Sequence, residues 1–105
     1  MLCELSDLLP NAGVCALYRD EQVALFYLPD SEPQLYAINN WDPIGNANVL
    51  SRGIVGDIDG RAVVASPLYK QHFDLLSGQC VEDKEMLVRT YPVELVDDKV
   101  VIRDV

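Results

Sequence analysis

Histidine is almost missing from this sequence, in which His72 is the only one among 105 residues. Catalysis that passes protons through imidazole has a single residue to build on, and no motif beside it marks a Ser or Cys nucleophile with an orienting acid. Cations are scarce too, with 8 Lys and Arg against 17 Asp and Glu and a net charge of −9. Such a surface repels phosphate backbones, and only Arg52, Arg61, Lys70 and His72 lie near one another, so nucleic acid is excluded as a partner. No apolar run reaches the roughly 18 to 20 residues that cross a bilayer, which argues against a membrane anchor. Met1-Leu2-Cys3-Glu4 opens with an acid where a secretory signal carries Lys or Arg, so a cytoplasmic location is expected. Cys3, Cys15 and Cys80 are odd in number and far apart, which speaks against a disulfide framework. Gly45, Gly53, Gly56 and Gly60 follow neither G-x-G-x-x-G nor the Walker pattern, so no phosphate cradle is implied.

What is present suits one ordinary globular domain over residues 1–105, with 50% hydrophobic and 24% charged residues. A chain of this length buries about 65% of its unfolded surface. Ser6-Asp7-Leu8-Leu9-Pro10 allows one helical turn, with Ser6 as its cap and Pro10 as its stop. Period-two or fully apolar runs then predict strands over residues 14–18, 23–28, 35–38, 62–65, 71–75, 93–96 and 100–103. Arg19-Asp20-Glu21-Gln22 and Asp97-Asp98-Lys99 suit hairpin connections, and Pro29-Asp30-Ser31-Glu32-Pro33 a turn. Between Asn39 and Gly60 the chain is rich in Asn, Asp, Gly and Pro, and reads as a long functional loop. The expected fold is all-β, a small antiparallel sandwich or barrel with at most one short helical turn.

The candidate chemistry is thin. A zinc site would need Cys3, Cys15, Cys80 and His72 to converge, yet no pair has the spacing of two to four residues that a local chelate provides. Free Cys is commonly buried, so Cys15 is expected as a core residue of its strand, with Cys3 and Cys80 as small apolar fillers. His72, between Gln71 and Phe73, suits an edge or partly buried structural role. Asp57 and Asp59 before Gly60, like Asp97-Asp98, are accounted for by turn chemistry.

The informative stretch is Ser66-Pro67-Leu68-Tyr69-Lys70-Gln71-His72-Phe73-Asp74-Leu75-Leu76-Ser77-Gly78-Gln79-Cys80. It resembles the second cluster-binding box of Rieske ferredoxins, Cys-Pro-x-His-Gly-x-x-Phe-Asp followed by a Thr-Gly or Ser-Gly turn. Ser66 stands at the Cys position and Tyr69 at the His position. Upstream, Asn39-Asn40-Trp41-Asp42-Pro43 occupies the place of the Cys-x-His box, with Asn40 and Asp42 at the ligand positions in the best register and a shift of one residue left open. All four ligands are absent by this resemblance, and a lone histidine cannot supply the two imidazoles of a Rieske [2Fe–2S] centre.

Leu2-Cys3-Glu4-Leu5, the stretch from Asn48 to Asp57 and that from Ala65 to Phe73 are similar to the small subunits of assimilatory NAD(P)H-dependent nitrite reductases. That resemblance implies a Rieske-like fold without a cofactor in this chain. It also implies a large-subunit partner that carries FAD, an iron–sulfur cluster and sirohaem and reduces nitrite to ammonium, which the small subunit stabilises or regulates. In a Rieske fold the two ligand loops form an exposed tip, here carrying Pro67 and a candidate partner interface of Trp41, Pro43, Ile44, Leu68, Tyr69 and Lys70. Alternatively Tyr69 and Trp41 plug the void left by the cluster. A different class of function is a free-standing binding or ferredoxin-like module that serves another reductase or oxygenase.

Overall fold

The computed structural model describes residues 2–31 and 34–103, so Met1 and the Glu32-Pro33 part of the expected turn lie outside the described residues. Its strands are β1 (Cys3–Glu4), β2 (Gly13–Tyr18), β3 (Glu21–Tyr27), β4 (Leu35–Asn39), β5 (Trp41–Asp42), β6 (Ala47–Asn48), β7 (Ile54–Ile58), β8 (Arg61–Ala65), β9 (His72–Asp74), β10 (Val93–Val96) and β11 (Lys99–Ile102). Every pairing between strands is antiparallel. They form three three-stranded sheets, in the orders β1-β11-β10, β2-β3-β4 and β7-β8-β9, and a two-stranded ribbon of β5 and β6. Among the described residues no helix is long and apolar enough to cross a membrane.

The unbroken apolar run Val23-Ala24-Leu25-Phe26 is explained by its place in the middle of the fold. Successive side chains of a strand point to opposite faces. Ala24 and Phe26, with Ile38 of β4, enter one core, where they meet Val64 of β8 and Phe73 of β9. Val23 and Leu25, with Ala37, enter a second core against Val100 of β11 and Tyr91. The sheet β2-β3-β4 is thus covered on both faces at its centre, and β3 needs no polar face.

Hairpin turns are short and left-handed. Arg19 and Asp20, Asp59 and Gly60, and Asp97 and Asp98 all take positive φ, the requirement of the two-residue turns that match strand twist. Asp57 lies inside β7, paired with Ala62, so only Asp59 and Gly60 make that turn.

The expected long loop from Asn39 to Gly60 is largely structured, as β5, β6, a 3-10 turn over Leu50–Arg52 and β7. β7 is hard to see locally because Gly56 and Asp57 interrupt its apolar residues; cross-strand pairing from Ile54–Ala65 to Ile58–Arg61 holds it. The expected N-terminal turn is a 3-10 turn over Leu5–Asp7, capped by Glu4 in a capping box with Asp7 and not by Ser6. Cys15 is exposed, contrary to its expected core role, because β2 is an edge strand: Cys15 shares a sheet face with its partner Ala24 but is left uncovered by the main core. Cys80 is buried and Cys3 half-buried, as expected of apolar fillers. His72 is half-buried on the edge strand β9.

Gly78 decides how the segment after β9 returns to the sheet. Its φ is +80°, and an added Cβ would overlap the Val88 carbonyl. Its carbonyl in turn accepts the Val88 amide at 2.9 Å. Gly78→Ala is expected to cost about 2 kcal/mol or more, through the strained φ and the collision together. It would be read as a lower urea midpoint with an unchanged denaturant slope.

Candidate functional site

The loop after β4 and the loop after β8 meet through one buried contact. Asp42 at the end of β5 is fully buried, and its Oδ1 accepts the amides of Ile44 at 2.8 Å and Gly45 at 3.1 Å. This is the local chemistry by which Asp closes a turn upon itself, and the Asn46 amide adds a bond to the Asp42 carbonyl. The other carboxylate oxygen, Oδ2, accepts the hydroxyl of Ser66, itself almost fully buried. The second loop closes on Ser66 as well: its amide donates to the Gln71 carbonyl at 2.8 Å and its carbonyl accepts the Lys70 amide at 3.0 Å. A Cβ on Gly45 would lie 2.5 Å from Leu68 Cδ1, so the two loops are in contact there and an added methyl would have to displace the exposed Leu68 side chain.

Of the four positions matched to cluster ligands, Asp42 and Ser66 are brought together and the other two are not. Asn40 is buried but turned toward β2 and β3. Its Oδ1 accepts the Ser51 amide at 2.6 Å, and its Nδ2 donates to Gln22 Oε1 at 3.1 Å. It therefore anchors the Leu50–Arg52 turn against the β2–β3 hairpin. Tyr69 is 63% exposed and Trp41 42%, so neither fills a void between the loops. That place is closed by the Asp42–Ser66 contact, which overturns the expected aromatic plug. Ile44 also departs from expectation, since it packs against the main core. Leu68, Tyr69 and Lys70 are exposed, and Pro43 is half-buried.

This donor set does not fit a [2Fe–2S] cluster, which takes thiolates and imidazoles. Asp42 and Ser66 offer oxygen and are already engaged with each other. His72 Nδ1 is committed to Glu82 Oε2 at 2.5 Å. Cys80 is buried in the core, where burial pushes its thiol up, partly offset by the backbone amides of Asp83 and Glu82. Burial likewise raises the Cys3 thiol, with the Asp7 charge adding to the effect. Among the described residues no group of three or more His, Cys, Asp and Glu converges as a metal site would require.

Beside the loops lies a feature that gave no signal in the sequence. Trp41, Pro43, Leu87, Val88 and Arg89 line an open cleft of about 360 Å³, with Glu21 and Asn39 completing it. Glu21 Oε1 accepts from Arg89 at 3.0 Å and from the Tyr91 hydroxyl at 2.8 Å. Asn39 Nδ2 donates to the same hydroxyl at 3.1 Å, and the Arg89 guanidinium lies 4.9 Å from the Tyr91 ring centre. Burial and the Glu21 carboxylate raise the Tyr91 phenol, which keeps it a hydrogen-bond donor. Residues 86–89 appear in sequence only as a short apolar triplet and a cation, without spacing that would place them beside Trp41.

Residues 1–103 match the family of Rieske-like [2Fe-2S] domains. The chain belongs to that family. Within the Rieske-like family it is 45% identical over 102 residues to the nitrite reductase (NADH) small subunit of Escherichia coli K12, covering 97% of this chain and 94% of that one. A crystal structure of a putative NADPH nitrite reductase small subunit superposes with a TM-score of 0.93 at 54% identity, covering 98% of this chain and 95% of the other. A segment that makes up 10% of the Klebsiella oxytoca nitrite reductase [NAD(P)H] large subunit is 41% identical over 99 residues, or 94% of this chain.

Two outcomes follow from the geometry. Asp42→Ala strands the Ile44 and Gly45 amides and the Ser66 hydroxyl, and is expected to cost about 3 kcal/mol; Ser66→Ala removes one bond to a carboxylate and is expected to cost about 2 kcal/mol. Urea denaturation measures both, and a Ser66→Ala midpoint equal to that of the parent would contradict the role of this contact. The second concerns Glu82. Burial pushes its carboxyl up, but the His72 amide and imidazole outweigh that and hold it below its ordinary 4.5. The parent is therefore expected to be more stable than Glu82→Gln above pH 4.5, by a small margin because the pair is partly exposed. The margin should vanish as pH falls below 4.5 through the lowered folded-state value, which thermal melts across pH 3 to 7 would follow.

Proposed function

We propose that this chain is the accessory small subunit of an NAD(P)H-dependent nitrite reductase, and that it carries no redox centre of its own. The observation that carries this reading is the buried Asp42–Ser66 contact, which joins the two loops where a Rieske domain holds its cluster. With the loops closed by a hydrogen bond, the domain acts by contact. Its partner is the large catalytic subunit, holding FAD, an iron–sulfur cluster and sirohaem, where NAD(P)H electrons reduce nitrite to ammonium for nitrate assimilation in the cytoplasm. The Klebsiella oxytoca large subunit supports the pairing, because a segment like this chain is built into it covalently.

The tip suits docking. Leu68 is 45% exposed beside the still more open Tyr69, and Trp41 stands on the neighbouring loop. Large side chains that can be desolvated at the centre of an interface supply most of its energy, and Lys70 can serve as a rim charge. No carboxylate other than the buried Asp42 occurs between Trp41 and Gly56 or between Arg61 and Phe73. In a chain of net charge −9 that leaves both tip stretches free of any other acid. Such a composition suits a partner face with an apolar centre.

Tyr69→Ala and Lys70→Ala are expected to weaken binding to the purified large subunit, by about tenfold or more for Tyr69→Ala, and to alter nitrite-dependent NADH oxidation. Iron and sulfide assays on the chain are expected to find neither in stoichiometric amount. Stoichiometric iron and sulfide, with absorption above ~400 nm, would overturn the cofactor-free reading, and unchanged binding in both variants would overturn the docking tip.

A further inference from the structure

We infer that the docking surface continues past the two loops into the cleft between Trp41 and Leu87, and that this cleft receives an uncharged apolar side chain of the large catalytic subunit. The inference rests on the partner reading above and deepens it.

Area is the first reason. The large apolar side chains of the tip, Trp41, Leu68 and Tyr69, are only partly exposed and together offer on the order of 300 Å², and with Pro43, Pro67 and Lys70 added the tip still falls short of the roughly 800 Å² that each side of a stable complex covers. Where the domain is covalently part of a large subunit, as in Klebsiella oxytoca, tethering keeps the contact populated. A separate chain lacks that help and needs more interface. The surface contiguous with the tip is the cleft, since Trp41 and Pro43 belong to both.

Chemistry is the second. Residues 86–89 alternate: Met86 and Val88 pack toward the core, while Leu87 and Arg89 face out. Leu87 is 61% exposed and lines the same cleft as Trp41. The two charged groups of the wall, Glu21 and Arg89, are spent on each other and on Tyr91, so the cleft offers an incoming group apolar contact more than an ion pair.

Rigidity is the third. The Cys80 amide donates to the Met86 carbonyl, Val88 to Gly78, and Asn39 to the Arg89 carbonyl, at 2.8 to 2.9 Å. This wall is tied both to β4 and to the turn after β9, so little ordering entropy is lost when a partner enters.

The test measures the affinity of the purified large subunit for Leu87→Asp, Leu87→Ala, Tyr69→Ala and, as a control in a separate cleft lined by other residues, the exposed Leu76→Asp. Each variant is first checked for a native circular dichroism spectrum and melt; the milder Leu87→Ala decides if the aspartate variant fails that check. Leu87→Asp is expected to raise Kd by about tenfold or more and Leu87→Ala by about threefold, with Leu76→Asp within twofold. If both Leu87 variants bind within twofold of the parent while Tyr69→Ala is weakened, the cleft is overturned and the tip stands. If none of the variants changes Kd, the tip and the cleft fall together; a parent chain that does not bind the purified large subunit at all would overturn the partner reading itself. Sedimentation of the isolated chain covers the remaining occupant. Self-association abolished by Leu87→Asp, with Kd for the large subunit unchanged, would assign the cleft to a second copy and overturn the inference.

Discussion

A hydroxyl donated by Ser66 to the buried carboxylate of Asp42 ties together two loops that come from different sheets, one following β4 and the other β8. Backbone groups of both loops are arranged around that pair: the Ile44 and Gly45 amides bind the other carboxylate oxygen, and the backbone of Ser66 closes the loop that displays Leu68, Tyr69 and Lys70. A buried carboxylate is costly unless its acceptor sites are filled, and here they are filled by groups that fix the shape of both loops at once. The position of the exposed aromatic and cationic residues therefore depends on a contact none of them makes.

This explains how a member of the Rieske-like [2Fe-2S] domain family can present a defined tip with donors that do not suit a cluster. A metal centre joins loops by coordination and also makes them redox-active. An Asp–Ser hydrogen bond does only the first. The function we propose for such a domain is recognition. The binding face we propose is broader than the two loops, because the segment at residues 86–89 is pinned to β4 and its Leu87 lines the same cleft as Trp41.

Much of the fold was legible in the residues. The run at 23–28 announced a strand, and the Asp-rich turns announced hairpins, because alternation and positive-φ chemistry act over a few neighbours. β7 was not legible, since Ile54-Val55-Gly56-Asp57-Ile58 has weak strand character and owes its conformation to β8. Cys15 was misplaced for a related reason. A small apolar residue in a strand reads as core, and only the position of β2 at a sheet edge turns it to solvent.

The candidate site divides in the same way. The count of one histidine, the Ser66-Pro67 and Asn39–Pro43 stretches and the acid-poor neighbourhood of the tip are properties of the chain as a string, and they determined the family resemblance, the absence of two imidazoles and the location of the loops. That Asp42 faces Ser66, that Asn40 turns away, that Tyr69 and Trp41 stay exposed and that Leu87 comes to line one cleft with Trp41 was decided only by tertiary structure. Each of those contacts joins residues whose separation along the chain carries no periodic signal, and folding alone brings their partners within reach.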